Sequence, residues 1–178
     1  MRKIDSIDRE IVNLLIGDGR MQAIEIARHL DQRISERAVR YRINRLVKDG
    51  VIHIGAIANP RALGYQVVAD IFVEVESGRI EEVARILADQ ELVSYVACSI
   101  GERDLSVQLL AHDNSEVYSF ATSVIGKIPG VRKTTASIVP LVIKDVYQWR
   151  IPANLELKLP KLRKTGDDKE KMKKSSML

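Results

Sequence analysis

Residues 35–50 read SERAVRYRINRLVKDG. Wound into a helix at about 100° per residue, Val39, Ile43, Leu46 and Val47 gather on one side, which must pack on other elements. Arg37, Arg40, Tyr41, Asn44, Arg45 and Lys48 spread over the opposite side, so four positive charges share an exposed face with an Asn and a Tyr. Ser35 suits the N-cap, where a hydroxyl accepts an N–H that the first turn leaves without a partner. Gly50 stops the helix after Asp49. Arg42 lies beside the apolar stripe and is read as structural. Many helices carry a solvated basic face, so the meaning of this one depends on its neighbours.

Upstream, Asp5 is placed to cap a first helix, with Asp8 near the positive end of its dipole. Ile7, Ile11, Leu14 and Leu15 form one apolar stripe, and Gly17-Asp18-Gly19 ends it. A short second helix follows, with Ile24, Ala27 and Leu30 expected to face inward. Three short helices, the last two joined by a tight turn, make a helix-turn-helix pattern. In that motif the final helix is the one that reaches a groove of DNA. Arg37, Arg40 and Arg45 then suit guanine O6/N7 and Asn44 suits adenine N6/N7, each good pair adding roughly 1–3 kcal/mol of discrimination. Lys48 suits phosphate, Tyr41 a sugar, and Ser35 with the first amides a phosphate at the helix start.

Downstream the period changes. Residues 51–58 are β-prone and end at Asn59-Pro60, a connector. Val67, Ala69, Ile71, Val73 and Val75 alternate with polar residues as a half-buried strand. A helix is expected over 79–90, a strand over 92–100, a turn at Gly101-Glu102-Arg103-Asp104, and a strand over Leu105–Ala111. A helix over 115–127 and a strand over 133–143 complete βαββαβ. This is the ferredoxin-like order, an antiparallel sheet with both helices on one face. Val68 and Phe72 would point to the other, bare face, so a partner sheet is expected to cover it in a homodimer. Cys98 alternates with Val96 and Ile100 and is expected in the core.

Charge is divided along the chain: +3 over residues 1–60, −3 over 61–150 and +4 over 151–178. The acidic middle does not suit a polyanion, whereas the front does. Four segments follow: 1–50 as the helix-turn-helix, 51–65 as a β-linker, 66–150 as the second domain, and 151–178 as a basic tail. That tail is expected to be disordered past Leu162 and to add non-specific attraction to nucleic acid. A single Cys fits a reducing compartment, and no apolar run approaches the length of a membrane span. The chain is therefore expected to be soluble and cytoplasmic, with no membrane partner. His29, His53 and His112 are scattered, so no metal or other cofactor is expected.

Ile4-Asp5, Asp8 and Ile11, then Ala27 with Leu30, then Ser35, Val39, Arg42-Ile43 and Leu46, then Gly50-Val51-Ile52 together resemble the leucine-responsive regulatory protein (Lrp/AsnC) family. Leu63-Gly64 and Gly101 with Asp104 continue the match, which spans about residues 2–145. The resemblance implies an α+β chain: a winged helix-turn-helix joined to a RAM effector domain, assembled as dimers and often octamers. It also implies a transcription regulator of amino-acid metabolism, responding to an amino acid bound between RAM domains. The turn between Ala27 and Ser35 is about two residues longer than the family's and lacks its Gly.

In the family the effector lies near the turn that matches Gly101-Glu102-Arg103-Asp104 and reaches the last strand of a neighbouring subunit. Asp104 can accept an α-ammonium group, Arg103 or loop amides can hold an α-carboxylate, and Thr134, Thr135 and Ser137 can supply hydroxyls. The plainer reading is that Gly101 makes a turn, Asp104 caps it, and the hydroxyls are strand surface. Two other functions stay open at this point. One is a siroheme-decarboxylase-like enzyme subunit, which resembles this family but carries histidines at the turn where this chain has Gly101-Glu102-Arg103-Asp104. The other is an effector-binding module with no specific DNA role.

Overall fold

A computed structural model of the chain describes residues 4–31 and 33–152. The expected disorder past Leu162 lies outside the described residues. The described residues divide into two compact units, one made by residues within 4–55 together with 146–152, the other by Ala56–Asp145.

The first unit is helical. α1 spans Ser6–Gly17, α2 Ala23–His29 and α3 Glu36–Lys48. Asp5 caps α1 reciprocally: its carboxylate accepts the Asp8 N–H (2.8 Å), and the Asp8 carboxylate accepts the Asp5 N–H (3.3 Å). Ile11, Ala23, Ile26, Ala27, Leu30 and Val39 form the core between the helices. Each fully buried aliphatic side chain here contributes about 1.5–3 kcal/mol. Two inward assignments are corrected. Ile24 is exposed, because α2 buries Ala23, Ile26, Ala27 and Leu30 instead; Val47 is exposed too, leaving Val39 and Leu46 as the buried residues of α3.

The long turn between α2 and α3 has its own solution. Asp31 adopts φ 51°, the left-handed conformation usually left to glycine. Arg33 then donates from Nε to the Leu30 carbonyl (2.9 Å) and pairs with Glu10 of α1 (2.5 Å), tying the turn down. The start of the C-terminal segment joins this unit. Ile151 is buried against Val12 and Leu46, and Asn13 exchanges two hydrogen bonds with its backbone, 2.9 and 3.3 Å. Ile151, the first residue of the segment expected as a basic tail, thus belongs to the first unit's core.

In the second unit, β1 (Val67–Val75), α4 (Ile80–Ala88), β2 (Val93–Cys98), β3 (Leu105–Ala111), α5 (Asn114–Ser119) and β4 (Val131–Val139) follow in order. α5 continues as a π turn at Phe120–Val124 and a 3-10 turn at Ile125–Lys127, so the helix expected over 115–127 is broken into three pieces. The sheet order is β2-β3-β1-β4 with every neighbouring pair antiparallel. Ala69, Ile71, Val73 and Val75 of β1 and Leu105, Val107 and Leu109 of β3 pack against Val83, Leu87, Val117, Phe120 and Ile125.

Strand ends were overestimated. β4 stops before Pro140, which has no N–H to give. β2 stops at Cys98, which is exposed, and Ile100 is fully exposed, so neither is a core residue. The β-prone residues 51–58 carry neither strand nor helix, because a strand needs a ladder partner and none pairs with them among the described residues. A short 3-10 turn, Pro60–Leu63, closes on Gly64 at φ 98°.

Candidate functional site

α3 begins where Ser35 accepts the Ala38 N–H on its hydroxyl oxygen (3.3 Å). The hydroxyl proton stays available to donate. Arg37, Arg40, Tyr41, Asn44 and Lys48 are exposed along the helix, Tyr41 at 61%. The opposite side holds Val39 and Leu46 at the core. Arg45, also of the expected contact set, is half-buried.

Arg45 points inward. Asp8 of α1 is completely buried, and its two carboxylate oxygens accept one guanidinium each: Arg42 Nη1 on Oδ1 (2.7 Å) and Arg45 Nη2 on Oδ2. Arg42 also donates to Asp5 Oδ2 (2.7 Å). A buried carboxylate is tolerated only when paired and hydrogen-bonded, so Asp8 holds both cations and turns the Arg45 guanidinium toward α1. Burial works against ionisation of Asp5, but the Asp8 N–H and the Arg42 guanidinium outweigh it and hold its carboxyl below the ordinary value. Burial likewise works against the Arg42 charge, and its hydrogen bonds to Asp5 and Asp8 still push its pKa up.

The sequence placed Asp8 at the helix dipole and in the family motif, but not as a buried acid. Its position one turn before Ile11 and Val12, both buried, was the available signal. Glu36 was missed as well. Its Oε1 accepts Nε (2.9 Å) and Nη2 (2.6 Å) of Arg40, an i,i+4 pair on the exposed face. Arg37, Asn44 and Lys48 have no such acidic partner among the described residues.

The turn before β3 is held from several sides. Gly101 sits at φ 141°, open to a residue without Cβ. Ser99 N–H donates to the Asp104 carbonyl (2.8 Å), and Asp104 N–H donates to the Val73 carbonyl (3.1 Å). The Asp104 carboxylate accepts the Val75 N–H (2.7 Å) and lies 3.8 Å from Arg132. One of its oxygens is therefore engaged in holding β1 to the turn. Arg103 lies over the Phe72 ring, 4.1 Å from its centroid.

Phe72 pairs across the sheet with Ser106 and Thr135, and Asp70 pairs with Gln108 and Ser137. Side chains directly opposite share a face, so Arg103, Phe72, Thr135 and Ser137 come together on the helix-free side. Thr134 pairs with Val73 and belongs to the helix side. It is separated from the other hydroxyls by strand alternation. Val68, flanked by Leu110 and Val139, extends the half-buried apolar part of the open face.

A winged helix-turn-helix DNA-binding family model matches residues 4–53, and an Lrp/AsnC ligand binding domain model matches residues 68–148. The chain is 38% identical over 146 residues to an uncharacterized HTH-type transcriptional regulator of Pyrococcus horikoshii, covering 82% of this chain and 91% of that protein. It is 37% identical over 149 residues to the HTH-type transcriptional regulator FL11 of Pyrococcus abyssi, covering 83% and 97%. Among solved structures, E. coli AsnC superposes with a TM-score of 0.72 at 20% identity, over 81% of this chain and 98% of that one. A transcriptional regulator of Neisseria meningitidis, solved as an L-Met complex, superposes with a TM-score of 0.75 at 22% identity, over 84% and 97%. At such identities the superpositions speak for the fold. No helix among the described residues is long and apolar enough to cross a membrane.

Proposed function

The chain belongs to the Lrp/AsnC family of transcription regulators, and from that premise we propose that it binds operator DNA in a sequence-specific manner through the outer face of α3. The observation that carries this reading is the division of α3: Arg42 and Arg45 are neutralised inside the first unit, while Arg37, Arg40, Asn44 and Lys48 remain outside. Arg37, Arg40 and Asn44 reach base edges; Lys48, Ser35 and the first amides of α3 hold phosphates. Residues 1–50 serve as the DNA-binding domain and residues 66–145 as the effector and oligomerisation domain.

The helix-free side of the sheet pairs with the same face of a second copy. Half-buried Val68 and Phe72 there support a homodimer, the smallest assembly that sets two α3 helices about 34 Å apart, one turn of DNA. Higher assembly to an octamer remains within this reading. The effector is an amino acid or a close relative, held near Gly101, Arg103 and Asp104 with Thr135 and Ser137 in reach; an L-Met complex is known for a relative of the same fold. The chain works in the cytoplasm as a regulator rather than an enzyme, in keeping with the names its relatives carry.

Mobility shift against rising salt tests the reading. A selected duplex should bind more tightly than a scrambled one, and log affinity should fall steeply with log salt, by about 0.9 per phosphate contacted. Equal, salt-insensitive affinity for both duplexes would overturn it.

A further inference from the structure

We propose that Glu36 is a specificity-determining residue: it holds the Arg40 guanidinium so that its free edge is presented to a guanine. The proposal rests on the reading of α3 as the DNA-contacting helix and goes one residue further.

A guanidinium has five N–H donors in a fixed plane. Glu36 Oε1 takes the side edge, one proton from Nε at 2.9 Å and one from Nη2 at 2.6 Å. The end edge, with one proton on Nη1 and one on Nη2 pointing the same way, is left over. Those two parallel donors match guanine O6 and N7. The pair is exposed, Arg40 at 67% and Glu36 at 39% of side-chain surface, so it adds little to folding. Its effect is on orientation. An unpaired arginine on this face samples many rotamers and gives up that freedom on binding. Glu36 makes Arg40 give it up beforehand.

The same pair also limits unspecific binding. Glu36 opens α3, where the amides and the helix dipole attract phosphate. Its carboxylate cancels the Arg40 charge there, so the pair contributes to base choice more than to attraction for the backbone. Lys48 keeps the second task.

Selection from a randomised double-stranded library, using full-length wild type, Arg40→Ala, Glu36→Ala and Glu36→Gln, tests this. Wild type should select guanine at one position of each half-site, and Arg40→Ala should lose that preference about tenfold. Glu36→Ala should lose it about twofold at the same position only, and Glu36→Gln, which keeps one acceptor oxygen, should fall between. Binding of Glu36→Ala to random duplex should not weaken, and its salt slope should steepen by up to about 0.9. If Glu36→Ala keeps the guanine that Arg40→Ala loses, the proposal fails while the function of α3 stands. An equal loss at every position, as from a damaged helix, overturns it too. A wild type that selects no sequence would overturn both readings.

Discussion

α3 uses arginine in two ways, and its two faces can be compared directly. On the inner face Arg42 and Arg45 meet Asp8, a carboxylate with no exposed surface, and the three groups bind α1 to α3. On the outer face Arg40 meets Glu36 in solvent, and Arg37 and Lys48 stand apart from any acid among the described residues. The residue type is the same; the acid it faces and the water around it decide whether it holds the fold or reads a partner. A count of positive charges on a helix therefore overstates its contact surface by every cation that a buried acid claims.

The largest way to break this contrast is Asp8→Ala. It leaves the part-buried Arg45 without its acid and Arg42 with Asp5 alone, and loss of one member of a buried ionic group costs about 3–5 kcal/mol. Chemical denaturation should show that loss in the first unit, whereas Glu36→Ala should move stability by less than about 0.5 kcal/mol. Similar values for both would mean that the two faces are not different in kind.

Next come the base contacts. Arg40→Ala and Asn44→Ala should each relax choice at one position of the operator by roughly 1–3 kcal/mol without shifting the unfolding midpoint. Lys48→Ala should instead weaken all sequences alike and reduce the salt slope by about 1. Arg45→Ala should do the reverse of both, lowering stability while base choice, measured on the folded fraction, is retained. A loss of base choice in Arg45→Ala would return that residue to the contact set.

The smallest effect concerns acid. The Asp5 carboxyl is held below its ordinary value of 3.8 by the Asp8 N–H and Arg42 against the cost of burial. A carboxyl lowered in the fold contributes stability that is complete above the unfolded pKa and is lost as pH falls through the folded one. Asp5→Asn keeps an adequate cap but removes this dependence, so its stability should decline less than the wild type's below about pH 4. Parallel acid limbs in the two proteins would show that the pairing with Arg42 adds nothing to the fold.

Much of the fold was legible because its signals are local. Asp5, Ser35 and Gly50 mark helix ends within a few residues of themselves, and α1 and α3 start and stop where those residues place them. The alternation of β1 reads directly as its buried and half-buried faces. Errors gathered where the pattern is short or overshoots. The seven residues of α2 permit two phases, and the wrong one put Ile24 inside and overlooked Ile26. Alternation beyond the last ladder pair carried Cys98 and Ile100 into a core that had already ended. At the effector turn, Gly101 and Asp104 were legible as turn-makers. That Thr134 faces away from Thr135 and Ser137 follows from alternation alone, which had not been applied to β4.

By itself the sequence determined the order of elements, the helix-turn-helix, the ferredoxin-like second unit and the family to which both belong. Each of these depends on periodicity, caps and turns, which act over one or two turns of chain. Only the tertiary structure decided which cations of α3 are available, where the chain after Val146 returns, and how Arg103 meets Phe72. Those outcomes join residues 34 or more apart in one case and across strand ends in another, and a charge carries no mark in sequence of the buried partner that will claim it.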